Sequence, residues 1–231
     1  MKTFKVKKSL IISVSAWVLL VAVLAVLTHV LNASWLTFCY VSLMLAGMVL
    51  NGERLREGML LYSCASAVYF IIAFGQRFYG DFILNACFVV SYIITYALSF
   101  KEKKWNIKTL KPYWYAILLG IIAATTPAYY FLLEHIGTEQ ALLNSLSTTL
   151  TVTAVVLTMN KNIEQYIVWV MVNVVQIILW STTMVGGNLS FIFFIVYNTI
   201  CPIVNVVNLI KWIKQLKKQK KENERDGEQG E

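Results

Sequence analysis

The stretch EQYIVWVMVNVVQIILW, residues 164–180, is apolar enough to cross a bilayer, yet it keeps a tyrosine, two tryptophans, an asparagine and a glutamine. These five residues, Tyr166, Trp169, Asn173, Gln176 and Trp180, are separated by steps of 3, 4, 3 and 4. On an α-helix that spacing puts them along one stripe. Ile, Val, Leu and Met cover the rest of the surface. A polar group facing hydrocarbon goes unsatisfied, so the stripe is expected to turn inward in a bundle of membrane helices.

The rest of the chain supports a membrane setting. Its 231 residues are 58% hydrophobic and only 14% charged, with a mean hydropathy of +0.64. Uncharged runs of about 20 residues are the length a helix needs to span a bilayer. Eight such runs are predicted, at 9–31, 34–50, 58–75, 81–100, 112–133, 140–159, 163–183 and 188–211. Period-two alternation is absent, so strands are not expected. The first run is too long for an ordinary signal peptide, and no small-residue cleavage site follows it. It is read as a true membrane helix.

The net charge of +8 suggests nucleic acid until its distribution is followed. With the amino terminus taken as cytoplasmic, nineteen of the twenty basic residues fall on the inner side and only Arg77 falls outside. That is the positive-inside pattern of a multi-pass protein of the cytoplasmic membrane with both termini inside. The lipid bilayer, and no nucleic acid, is the partner it implies. The tail from Lys211 onward is expected to be a charged, frayed extension of the last helix. Cys39, Cys64, Cys87 and Cys201 lie within spans without CxxC spacing. They are expected to be small buried apolar residues, with neither a disulfide nor a metal site, and no cofactor is indicated.

Residues 34–100 lie on residues 141–207 at a constant offset of 107 without a gap. Arg54 falls on Lys161, Glu57 on Glu164, Tyr62 on Trp169, and Gly80-Asp81 on Gly187-Asn188. Each unit has three helices, so a tandem copy would be inverted unless an intervening helix carried the chain back. The expected organisation is a segment and extra helix at 1–33, a first repeat at 34–100, and a basic loop with connector helix at 101–140. A second repeat follows at 141–212 and a tail at 213–231. A 3+1+3 core of parallel repeats is a transporter architecture, with the substrate path expected between the repeats. Thr125-Thr126-Pro127 is expected to bend the connector.

Candidate lining residues follow from the polar stripes. The first repeat offers Tyr62, Ser66 and Tyr69, then Asp81, Asn85, Tyr92, Thr95 and Ser99. The second adds Asn188, Tyr197, Asn198 and Asn205, and Asn144, Ser147, Thr148 and Thr151 share one side of 140–159. Many Ser and Thr in such helices only hold neighbours together, and Trp180 near a span end reads as a headgroup anchor. Asn162 and Gln165 look like an N-cap box that also accounts for Glu164. Trp169 and Asn173, deeper and one turn apart, are the first choice for substrate contact.

No carboxylate lies in the middle of a span, and His29 and His135 sit near helix ends. Proton-coupled carriers place such a relay deep in the membrane, so an uncoupled facilitator is expected. No HExxH, GxSxG or P-loop is present, which argues against an enzyme. Rings stack on flat heterocycles or delocalised cations, and amides pair with hydroxyls or a carboxamide. No Lys or Arg cluster lies in the path to receive a phosphate. The expected ligand is small, aromatic, hydroxylated, and neutral or cationic.

With TTLTVTAVVLTMNKNI before it and IVYNTICPIVNVVNLIKWIK after it, the opening stretch resembles the last three helices of the PnuC family of bacterial vitamin transporters. YGDFILNACFVVSY resembles the third helix of that family's first repeat. The resemblance covers about residues 34–212. It implies an all-α, eight-helix membrane protein with a SWEET-like 3+1+3 fold. It also implies facilitated diffusion of nicotinamide riboside, trapped by a cytoplasmic kinase that feeds NAD biosynthesis. The family's W-x-x-W before an Asn would fall on Tyr166, Trp169 and Asn173, so the first Trp is replaced here. Related members carry thiamine or deoxynucleosides, and a non-transporting receptor or subunit is the alternative class. Nothing in the sequence excludes a homo-oligomer.

Overall fold

The computed structural model describes residues 8–30, 34–75, 79–100, 106–138, 140–184 and 192–228. Eight α-helices follow one another: α1 (Lys8–Val30), α2 (Trp35–Gly52), α3 (Glu57–Gly75), α4 (Tyr79–Ser99), α5 (Pro112–His135), α6 (Ala141–Met159), α7 (Gln165–Met184) and α8 (Ile192–Glu228). Each is long and apolar enough to cross a membrane. Among the described residues the one extended pairing is an isolated parallel bridge between Lys108 and Asn162. The chain is an all-α, multi-pass membrane protein, whose backbone polar groups are satisfied inside each helix as hydrocarbon requires. Arg77, Gly187 and Asn188, and the basic residues before Lys8 and at 101–104, lie outside the described residues.

The charged tail continues α8 as far as Glu228, an extension of the last helix as the sequence suggests. Lys, Gln and Glu are good helix formers, and Lys218 Nζ lies 3.8 Å from a Glu222 carboxylate oxygen one turn on. The cysteines divide: Cys201 is buried, whereas Cys39, Cys64 and Cys87 are exposed on the outer faces of their helices. A thiol is apolar enough to sit there against lipid at little cost. Helical structure runs unbroken through Pro127 in α5 and through Pro202 in α8. The Thr125 hydroxyl donates to the Ile121 carbonyl (2.8 Å) in the turn before Pro127.

The chain forms two compact units, Met1–Lys103 and Lys104–Glu231. In the first, α2 and α3 approach closely because of two glycines. A Cβ on Gly47 would come within 2.7 Å of Tyr62 ring carbons, and one on Gly58 within 2.8 Å of the Asn51 nitrogen. Small residues at such crossings let backbones meet where no hydrophobic effect drives helices together. Tyr62 packs in turn on Tyr92, ring centroids 5.3 Å apart. Among its described side chains helix α1 buries only Leu24 and Thr28, and the Trp17 indole N–H donates to the Ser42 carbonyl (3.2 Å).

The α2–α3 and α6–α7 turns are built alike. Arg54 (φ 63°) and Lys161 (φ 60°) both take the left-handed conformation. Arg54 N–H donates to Asn51 O (3.0 Å) and Leu55 N–H to Leu50 O (2.9 Å). At the offset of 107 residues, Lys161 N–H donates to Thr158 O (3.0 Å) and Asn162 N–H to Leu157 O (2.9 Å). These are two Schellman closures with a basic residue where glycine is usual. A non-glycine residue there costs about 1–2 kcal/mol.

Candidate functional site

Helix α7 turns the predicted stripe inward and leaves Ile167, Met171, Val174 and Ile178 exposed. The five stripe residues then separate by role. Tyr166 is buried, its ring edge-on to Trp212 at 5.1 Å, in a cluster with Ile107 and Ile163. Trp180 is also buried, stacked on Phe194 with centroids 4.7 Å apart and planes 17° apart. It is therefore no headgroup anchor. Its ring packs on α8, where such a stack contributes about 0.5–1.5 kcal/mol beyond area burial. These two ring pairs, one edge-on and one stacked, clamp α7 and α8 antiparallel at both ends.

Between the clamps lie Trp169, Asn173 and Gln176. Trp169 is half-buried against the cluster of Leu150, Ala154 and Val172. Its indole N–H donates to the Thr158 hydroxyl (3.1 Å), which itself donates to the Ala154 carbonyl (2.8 Å). The buried Asn173 amide donates to the Trp169 carbonyl (2.7 Å), leaving its oxygen as an acceptor. Gln176 reaches across to the Ser147 hydroxyl (3.4 Å). Helix α6 thus holds two members of the α7 stripe through a matching stripe of its own. Asn144, Ser147, Thr151, Ala154 and Thr158 repeat the steps 3, 4, 3 and 4.

On α8, Asn198 is fully buried, donating to the Phe194 carbonyl (2.7 Å). Its Oδ1 is buried without a hydrogen-bond partner among the described residues. Asn198 and Gln176 each sit one turn from the Trp180–Phe194 stack, on the same side of it. Tyr197 and Asn205 are buried on α8, and Asn144 is half-buried at the start of α6.

The serines and threonines expected to hold helices together mostly bond within their own helix. Thr151 donates to Ser147 O (2.7 Å), Thr153 to Thr149 O (2.9 Å) and Thr95 to Ser91 O (2.8 Å). Back-bonding to the preceding turn satisfies the hydroxyl without a neighbour. Thr158 and Ser147 in addition accept from side chains of α7, and the Ser63 hydroxyl donates across to the Val89 carbonyl of α4 (3.1 Å).

In the first unit the corresponding rings are closed off. Tyr62 and Tyr92 are buried against each other, and Ser66 is buried. The Tyr69 hydroxyl donates to an Asp81 carboxylate oxygen (3.2 Å), and Tyr69 packs on Tyr40 at 4.9 Å. Asn85 donates back to the Asp81 carbonyl (2.8 Å). Trp169 is the more open ring at this register, and Tyr62 the sealed one.

Glu164 bonds to residues well outside the start of α7. One carboxylate oxygen accepts from both the Leu110 N–H (2.9 Å) and the Tyr115 hydroxyl (2.8 Å). Ile163 N–H donates to Lys108 O (3.0 Å), and Gln219 brackets the backbone of Ile107 through N–H (3.2 Å) and carbonyl (3.3 Å). The segment ahead of α5 is therefore fastened to the start of α7 and to α8. The pattern that would have found Thr158 is visible as an extended α6 stripe. No local pattern announces Glu164, whose partners lie about 50 residues away in sequence.

The sequence profile described as nicotinamide mononucleotide transporter matches residues 34–214. The fold is similar to a solved structure described as "Crystal structure of the Vitamin B3 transporter PnuC", with a TM-score of 0.74 and 20% identity, covering 90% of this chain and 92% of that one. Curated protein sequences gave no match.

Proposed function

The chain belongs to the nicotinamide mononucleotide transporter family, and from that premise we propose that it is a facilitator for uptake of nicotinamide riboside. The observation carrying this reading is the Trp169–Asn173 pair: a half-buried indole and a buried amide one turn apart on the inward face of α7. The indole face suits a pyridinium ring, a delocalised cation that it attracts with about 1–2 kcal/mol when desolvated. Asn173, Gln176 and the unpartnered Oδ1 of Asn198 suit a carboxamide and ribose hydroxyls.

The family is described by nicotinamide mononucleotide and the similar structure by vitamin B3, so a phosphate separates the candidate ligands. The seven spans of α1–α7 contain no Lys or Arg, and those of α8 begin only at Lys211. A phosphate dianion would lose its hydration there without a charged partner, which favours the riboside over the mononucleotide. Tyr166, the departure from W-x-x-W, is packed on Trp212, so the change affects a ring inside the protein core.

Without a mid-span carboxylate to relay protons, transport is proposed to be downhill, with phosphorylation by a cytoplasmic kinase keeping the product inside. The basic residues favour the cytoplasmic membrane with both ends of the chain inside. The recurrence of the Schellman closures at the 107-residue offset supports reading 34–100 and 141–212 as repeats. The test is a thermal-shift comparison of purified protein with nicotinamide riboside, its mononucleotide, thiamine and a deoxynucleoside. The riboside alone should stabilise wild type, and W169A and N173A should lose that shift. A shift from another ligand instead reassigns the substrate.

A further inference from the structure

We propose that Thr158 is a positioning residue for substrate recognition, acting through Trp169. The inference rests on Trp169 being a substrate-facing ring. An indole has a single hydrogen-bond donor and no acceptor. In this protein that donor is given to the Thr158 hydroxyl at 3.1 Å. Thr158 is fully buried, and its own hydrogen is directed to the Ala154 carbonyl (2.8 Å), so its lone pair is held in one direction. The side chain cannot turn away without leaving both an indole N–H and a hydroxyl unbonded in an apolar setting.

Two consequences follow. First, the ring plane of Trp169 is set before any ligand arrives, so less rotamer entropy is lost on binding. Second, with its N–H spent, Trp169 can offer a ligand only its face and edges. It therefore selects for a flat ring and gives no hydrogen bond to a sugar. Recognition of hydroxyls or an amide falls to neighbouring side chains such as Asn173.

The matching register in the first unit shows the contrast. There Tyr62 replaces Trp169 and Asn51 replaces Thr158. The Tyr62 ring is fixed by close fit to Gly47 and by Tyr92. Ala154 occupies the position of Gly47 in the second unit. The larger residue at this crossing goes with a ring held by a hydrogen bond and only half-buried.

The test compares Thr158→Val, which keeps the shape and removes the acceptor, with Thr158→Ser, which keeps the hydroxyl. Uptake of nicotinamide riboside is measured in proteoliposomes. The ¹⁹F resonance of Trp169 is followed in protein labelled with 5-fluorotryptophan and assigned by its loss in W169F. T158V should shift or broaden that resonance and raise KM by about five- to tenfold, with Vmax little changed, as expected for loss of one hydrogen bond that orients a binding group. T158S should keep the wild-type resonance and a KM within about twofold of wild type. An unmoved resonance in folded T158V overturns the positioning role. A moved resonance with unchanged KM overturns it as well. In that case wild-type uptake by W169A locates the failure in the reading of Trp169, and lost uptake by W169A locates it in Thr158.

Discussion

Glu164 and Glu57 stand at the same register of the two units, and the structure gives them opposite environments. Glu164 is buried and accepts two hydrogen bonds on one oxygen, whereas Glu57 is exposed. Replacing Glu164 with Ala removes the acceptor for the Leu110 N–H, a charge-assisted bond to a half-buried group worth about 1.5–3 kcal/mol. The bond to the exposed Tyr115 hydroxyl adds about 0–1 kcal/mol, because water can replace it. The other carboxylate oxygen, buried without a partner among the described residues, works against this by about 1 kcal/mol through its desolvation. The balance is a loss of about 0.5–3 kcal/mol. For a chain of this size, that corresponds to a fall in Tm of roughly 1–12 °C. Thermal unfolding in detergent, followed by intrinsic fluorescence, measures it directly. Glu164→Gln retains an oxygen and should lose about half as much, and Glu57→Ala should stay within about 0.5 kcal/mol of wild type. If E164A melts within about 1 °C of wild type, the carboxylate does not hold the segment ahead of α5, and the reasoning fails.

Other outcomes follow from the same packing. Gly47→Ala should destabilise by about 1–3 kcal/mol, because the added carbon meets the Tyr62 ring at 2.7 Å, while Gly120→Ala, with open space around it, should be neutral or stabilising; equal melting points for the two would contradict the α2–α3 fit. Trp180→Ala should cost about 3–5 kcal/mol, as for a buried aromatic ring, and a variant as stable as wild type would return Trp180 to the surface. In detergent, a small maleimide should label Cys39, Cys64 and Cys87 and spare Cys201 until unfolding, as mass spectrometry of peptides would show. Uptake should survive a protonophore and stop when the intracellular kinase is removed; dependence on the proton gradient would require a relay absent from the proposal.

Much of this was legible in the sequence because hydrocarbon is a demanding solvent. Long uncharged runs located eight helices, and the 3–4 spacing of Tyr166, Trp169, Asn173, Gln176 and Trp180 gave the inward face of α7. Spacing alone could not say which stripe residues are sealed, since that depends on what the partner helix presents. Trp212 covers Tyr166 and Phe194 covers Trp180, while among the described residues no ring is stacked on the half-buried Trp169. The cysteines depart from expectation for a related reason: lipid accepts a thiol as readily as a protein interior does, so polarity does not separate the two faces. Hydroxyls on α6 were equally ambiguous, because each can bond its own helix, and only the geometry picks out Thr158 and Ser147. Glu164 lay beyond local reading, its partners being supplied by a distant segment.

The most direct measurement is counterflow of labelled nicotinamide riboside in liposomes holding only the purified protein, with no ion gradient imposed. Unlabelled riboside inside should drive saturable accumulation of label, W169A should abolish it, and the mononucleotide inside should not replace the riboside. No exchange without a gradient, or full exchange by W169A, would contradict an uncoupled path recognised by the indole of Trp169.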